Sequence, residues 1–176
     1  MDENYLKYKN EQLDIKVKLA TEKDWEAYKE LRLLAITASD KEIMGSTPEQ
    51  IIEEQARSEQ DWKDDLSSEE MFVVLARNGS EAIGMSLARQ KDDITGLWYM
   101  GSAYIKEGDD FRGKGIGKKM FRTRLDEIKR RGGKKVFLGI KKNNERSIHV
   151  AKSFGFIQID KSEDNLDDGY YLELEL

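Results

Sequence analysis

Along the chain the apolar positions follow two rhythms, and the places where one gives way to the other mark the elements. Between residues 14 and 19, Ile15, Val17 and Leu19 alternate with polar residues, the period of a half-buried strand. Thr21 then reads as a helix N-cap, with Asp24 three residues on where a carboxylate can answer it. Behind it Trp25, Tyr28, Leu31 or Arg32, and Ala35 recur at helical spacing. The only proline, Pro48, falls just inside the start of a second helix, which the pattern carries through Ile51, Ile52 and Gln55 towards Trp62 with a charged outer face. Residues 71–76 are apolar without a break, Asn78-Gly79 is a hairpin turn and residues 82–88 return, so the pair predicts a β-hairpin. A third, antiparallel strand is expected from Leu97 to Ile105. After a polar turn at 107–110 and a glycine-rich stretch, Ile116, Met120, Phe121, Leu125 and Ile128 share one helical face that Gly132-Gly133 ends. A buried-type strand at 136–140, a short helix over 144–154 closed by Gly155, and strands at 156–159 and 170–176 complete the chain.

This order predicts a mixed sheet covered by helices, an α/β or α+β layering. Residues 97–140 form the only piece that reads as a crossover, so parallel pairing is expected there. No repeat, low-complexity tract or linker divides the chain. Residues 1–176 therefore read as one domain, with 1–13 as an N-terminal extension.

Composition narrows the chemistry. Of 176 residues, 30 are basic and 35 acidic, and no apolar run approaches the roughly 18 residues of a membrane-spanning helix. The first 13 residues lack the basic start and apolar stretch of a signal peptide, so a soluble, cytoplasmic protein is expected. With no cysteine there is no disulfide framework or thiolate nucleophile, and a single histidine leaves nothing for a His-rich metal site. The net charge of −5 hides an uneven distribution: residues 112–142 hold 13 bases against 2 acids, while 1–111 hold 14 bases against 25 acids. Such a basic island suits a nucleic-acid patch, a phosphate site or a solvated helix face. Composition alone favours the solvated face.

Spacing within the island says more. Gly113, Gly115 and Gly117 lead directly into a helix, where unpaired backbone N–H groups and the positive end of the helix dipole suit a phosphate or pyrophosphate. Arg112, Lys114, Lys118 and Lys119 add neutralising charge. A P-loop is excluded because Gly117-Lys118 is followed by Lys119 instead of a hydroxyl, and a Rossmann fingerprint because the loop is not after the first strand. A glycine-rich turn without a ligand remains the alternative on these residues alone.

The stretch Arg112-Gly113-Lys114-Gly115-Ile116-Gly117 resembles the acyl-CoA pyrophosphate loop of the GNAT N-acetyltransferase superfamily, Gln or Arg, any two, Gly, any, Gly or Ala. Downstream, Asn144 followed by a short helix ending in Gly155-Phe156 is similar to the family's second signature, and the likeness extends over about residues 14–176. The resemblance implies a mostly antiparallel central sheet of about six or seven strands flanked by about four helices. It also implies transfer of an acetyl group from acetyl-CoA, as co-substrate and without a metal, directly to a primary amine of a small molecule or peptide. Carried over residue by residue, it places the pyrophosphate at Arg112, Gly113, Lys114, Gly115, Ile116, Gly117 and Lys118. The backbone of Tyr104 and Ile105 would meet the pantetheine arm and thioester, and Asn144 the pantetheine amides.

The chain departs from the family pattern twice. Seven residues after Asn144, where many members carry a tyrosine that protonates the departing thiolate, it has Ala151, and strand 97–105 lacks the glutamate that often serves as base. Tyr104, Ser147 and Glu107 are the candidates left for proton transfer, with Ser153, Tyr99 and Glu173 behind them. These departures motivate an alternative reading as a non-catalytic acyl-CoA-binding or regulatory module. His149 reads as a surface or packing residue, Trp25, Trp62 and Trp98 as core or half-buried, and the acidic runs 61–65 and 164–168 as solvated. The expected partners are acetyl-CoA and an amine acceptor, with neither nucleic acid nor membrane, in a monomer or homodimer.

Overall fold

The computed structural model describes residues 14–37, 46–107, 111, 113–159 and 169–176. In chain order these form β1 (Ile15–Leu19), a short 3-10 turn (Glu22–Asp24), α1 (Trp25–Thr37), α2 (Pro48–Ala56), α3 (Glu59–Ser67), β2 (Met71–Asn78), β3 (Glu81–Asp92) and β4 (Leu97–Ile105). There follow α4 (Ile116–Arg130), β5 (Lys135–Lys141), α5 (Glu145–Ser153), β6 (Ile157–Ile159) and β7 (Gly169–Glu175). All seven strands join one sheet in the order β1-β2-β3-β4-β5-β7-β6. Every neighbouring pair is antiparallel except β4 and β5, which are parallel as the crossover predicts. The sheet is thus mixed and mostly antiparallel, with five α-helices around it.

Helices cover both faces, and this explains the unbroken apolar run in β2. Val73 and Leu75 pack under α1 and α3 with Tyr28, Leu31, Trp62, Met85 and Leu87. Phe72, Val74 and Ala76 pack on the opposite face with Ile116, Met120, Leu125 and Ile128 of α4. A strand buried on both sides has no reason to alternate. Beyond α4, Gly132 takes φ +81°, and Gly133 leaves room beside Ile128 and the Trp98 ring that a side chain would fill.

The single helix expected from Pro48 towards Trp62 is two helices. Arg57 turns extended, with φ −62° and ψ 137°, and Ser58 starts α3 through a capping box: Ser58 Oγ accepts from Asp61 N at 3.2 Å, and Asp61 Oδ2 accepts from Ser58 N at 2.7 Å. Two reciprocal bonds satisfy donors that a continuous helix would have used internally. Ser58→Ala is therefore expected to lower unfolding free energy by about 1 kcal/mol, measured by urea denaturation. The same segment corrects the reading of 61–65 as a solvated run. Asp61 is the cap partner, and half-buried Asp65 accepts from Tyr28 Oη at 3.1 Å and from Arg57 Nη2 at 2.7 Å. The run at 164–168 lies outside the described residues. Among those described, no helix is long and apolar enough to cross a membrane.

Candidate functional site

Because β4 and β5 run parallel, their C-terminal ends lie at one edge of the sheet, and the chain leaving each leads into a helix there. The two strands pair only at Leu97–Lys135, Trp98–Val136 and Tyr99–Phe137. Past Tyr99, β4 continues to Ile105 on its β3 side while β5 continues to Lys141 on its β7 side, so the strands part and each presents an unpaired edge to the gap. An extended ligand can occupy such a gap as an added strand. The register of β4 against β3 slips inside this region: Leu87 faces Gly101 but Met85 faces Tyr104, which places an extra residue on β4 at Ser102-Ala103. Ser102 has φ +48°, the one non-glycine residue in the left-handed region among those described.

At the same edge α4 begins. Gly115 is its N-cap with φ +75° and ψ 6°, and Gly113 takes φ +74°. No atom lies within 4 Å of where a Cβ would stand at Gly113 or Gly115. Glycine is thus required here by backbone conformation, and the loop is open on its outer side. The Lys119 N–H closes the first helical turn onto the Gly115 carbonyl at 3.0 Å, and the N–H groups before it point out of the helix end. Lys114, Lys118 and Lys119 are exposed around this end. Arg112 and residues 108–110 lie outside the described residues.

The other residues expected at the site are distributed around the gap. Tyr104 packs towards the α1 side and Ile105 towards α4. Gly84 permits this close approach, since a Cβ there would stand 3.0 Å from the Tyr104 carbonyl oxygen. Asn144 is the N-cap of α5, its Oδ1 accepting from Ser147 N at 3.2 Å. Ser147 is half-buried in the first turn of α5, and Glu107 is exposed just past β4. Ala151 is fully buried in the core on the α4 side and offers no proton. Ser153 Oγ donates to the Val150 carbonyl, and Glu173 is ion-paired with Lys135 at 3.0 Å, near the end where β4 and β5 are still joined. His149 is exposed, Trp62 and Trp98 are core, and Trp25 is half-buried.

Two arginines at the β4 bulge were not anticipated. From α1, Arg32 Nη1 donates to Ser102 Oγ at 2.9 Å while Nη2 pairs with Glu54 at 2.7 Å. Glu54 also meets Arg57, and through it Asp65 and the Tyr28 hydroxyl, so a half-buried polar chain runs from α3 to the bulge. From the other face, Arg124 Nη1 donates to the carbonyls of Leu87 at 3.3 Å and Gly101 at 3.4 Å. Arg124 is 4 % exposed, and burial pushes its guanidinium down to about 10. One signal was available for it: position 124 lies on the apolar stripe with Phe121, Leu125 and Ile128, where a charge is out of place.

The geometry has counterparts among known proteins. The pattern of the acetyltransferase (GNAT) family matches residues 19–156. A PaiA N-acetyltransferase from Thermoplasma acidophilum, solved in complex with coenzyme A, superimposes with a TM-score of 0.71 at 16% identity, over 93% of this chain and all of that one. An N-acetyltransferase from Staphylococcus aureus Mu50 gives 0.67 at 18% identity, over 92% of this chain and 98% of that one. YncA from Salmonella typhimurium, solved with its cofactor acetyl-CoA, gives 0.66 at 16% identity, over 92% of this chain and 94% of that one. No curated protein sequence matches the chain significantly.

Proposed function

Since the chain belongs to the acetyltransferase (GNAT) family, an acyltransferase family that uses acetyl-CoA, we propose that it acetylates a primary amine of a small molecule or peptide by direct attack. The observation that carries this reading is the gap between β4 and β5, which opens beside the N-terminus of α4. The pantetheine arm lies along the open β4 edge at Tyr104 and Ile105 and accepts hydrogen bonds from the Asn144 amide. The pyrophosphate sits on the N–H groups of Gly113 to Gly117, with Arg112, Lys114 and Lys118 supplying charge. Held in this way the thioester is fixed while the amine approaches, which replaces a bimolecular encounter by an oriented one.

The neutral amine forms a C–N bond to the thioester carbon, the C–S bond breaks with its electron pair leaving on sulfur, and the proton lost by nitrogen ends on the thiolate. Position 151 itself, a buried alanine, supplies no proton. Tyr104, Ser147 and Glu107 remain the candidates for the proton, and the thiolate of CoA, with a pKa near the ordinary 8.5 or so of thiols, also leaves with protonation by solvent. Thiol release from acetyl-CoA, followed with a panel of polyamines, amino acids, aminoglycosides and peptide N-termini between about pH 7 and pH 9, tests the proposal. Accelerated release with at least one amine is expected. Tight CoA binding with no release for any amine would overturn amine transfer and favour the non-catalytic binding module.

A further inference from the structure

The β4 bulge is held from both faces of the sheet, and the two grips differ in charge balance. Arg32 reaches Ser102 from the α1 side and is neutralised by Glu54. Arg124 reaches Leu87 and Gly101 from the α4 side, and among the described residues no carboxylate pairs with it. Among the described residues its hydrogen bonds are the two long ones to main-chain carbonyls, and its Nε–H has no hydrogen-bond partner there. Ser86, next to Leu87 in the slipped register, is also fully buried with an unpartnered hydroxyl. The Phe121 ring, 5.2 Å from the guanidinium, and Tyr99 nearby offset only part of the cost of burying this cation without a carboxylate, and the apolar stripe on which it sits would accept Leu or Met. Rules broken in this way concentrate at working sites. The location fits: Gly101 lies just past Tyr99, where β4 leaves β5, and just before the strained Ser102.

We propose that Arg124 is a positioning residue for acetyl transfer: it fixes the main chain of both strands at the β4 bulge and sets a permanent positive charge behind the thioester carbonyl. This rests on the reading that acetyl-CoA lies along the open β4 edge. When the amine attacks, the carbonyl π pair moves onto oxygen, and it returns when the C–S bond breaks. A cation held in place before the reaction favours the negatively charged intermediate over the neutral thioester, so its effect falls on turnover and not on cofactor affinity.

The test is infrared spectroscopy of bound acetyl-CoA, isotopically labelled at the acetyl carbonyl, on wild type, Arg124→Met and Arg124→Lys, with CoA affinity and melting temperature measured in parallel. In wild type the carbonyl stretch is expected to move to lower frequency on binding. Arg124→Met should lose most of that shift with CoA affinity within about threefold of wild type and turnover down by about tenfold to a hundredfold. Its melting temperature should be unchanged or higher, because a buried charge without a carboxylate partner has gone. Arg124→Lys, which keeps the charge and loses the fork, should retain part of the shift. An equal shift in wild type and Arg124→Met overturns the proposal, and so does loss of shift, affinity and folding together, since that is the signature of a purely structural residue. Wild type that binds acetyl-CoA without a carbonyl shift also overturns it, whereas wild type that fails to bind CoA overturns the underlying site reading.

Discussion

Gly115→Glu is expected to weaken CoA binding by about a hundredfold or more, about 2.8 kcal/mol. Gly115 is the N-cap of α4, its φ is +75°, and the space around its Cα is open on the side that faces solvent. A glutamate there brings a carboxylate to the positive end of the helix dipole, where it competes with the pyrophosphate for the same N–H groups. Any L-residue at this φ also strains the backbone by roughly 1–2 kcal/mol, so the charge effect needs a reference. Gly115→Asn supplies it, because asparagine tolerates the left-handed region and carries no charge. The asparagine variant should stay within about tenfold of wild type. Calorimetric titration with CoA decides: glutamate and asparagine variants of equal affinity would remove the pyrophosphate from the α4 N-terminus.

Much of this edge was legible in the linear pattern, and what was not had a physical reason. Gly113, Gly115 and the helix behind them carry local signals, since positive φ and helix starts depend on a few adjacent residues. The parallel pairing of β4 and β5 followed from the intervening helix. By contrast, the parting of those strands after Tyr99 is a tertiary pairing with no local signature, and nothing in Ser102-Ala103 announces a bulge. The break between α2 and α3 was written in Ser58 and Asp61, but the apolar positions on either side keep helical spacing across it and mask it. Asp65 read as solvated because charge runs usually are. It is half-buried because Tyr28 and Arg57, distant in sequence or in phase, converge on it. Arg124 stands between these cases, visible as a charge on an apolar stripe and interpretable only once Leu87 and Gly101 were seen to meet it.

Trp62→Ala is expected to lower stability by about 3–5 kcal/mol, a large share of the roughly 5–15 kcal/mol that holds a domain folded. The indole is fully buried between α3 and the sheet, meets the Tyr28 ring edge-on at 5.1 Å, and carries the Arg57 guanidinium 4.1 Å from its centroid. Trp62→Phe should cost much less, about 1.5 kcal/mol or below, because an aromatic surface remains and the buried Nε1–H, which has no partner, is removed with the indole. Urea denaturation midpoints separate the two, and equal losses would mean that a phenyl ring restores none of the packing the indole provides. The consequence extends to the site. Arg57 rests on Trp62 and holds Glu54, Glu54 holds Arg32, and Arg32 holds Ser102 at the bulge. Under conditions where both variants remain folded, Trp62→Ala should therefore slow acetyl transfer while CoA affinity persists, and Trp62→Phe should leave both near wild type. A slow Trp62→Phe variant or a fast Trp62→Ala variant would show that this polar chain ends short of the bulge.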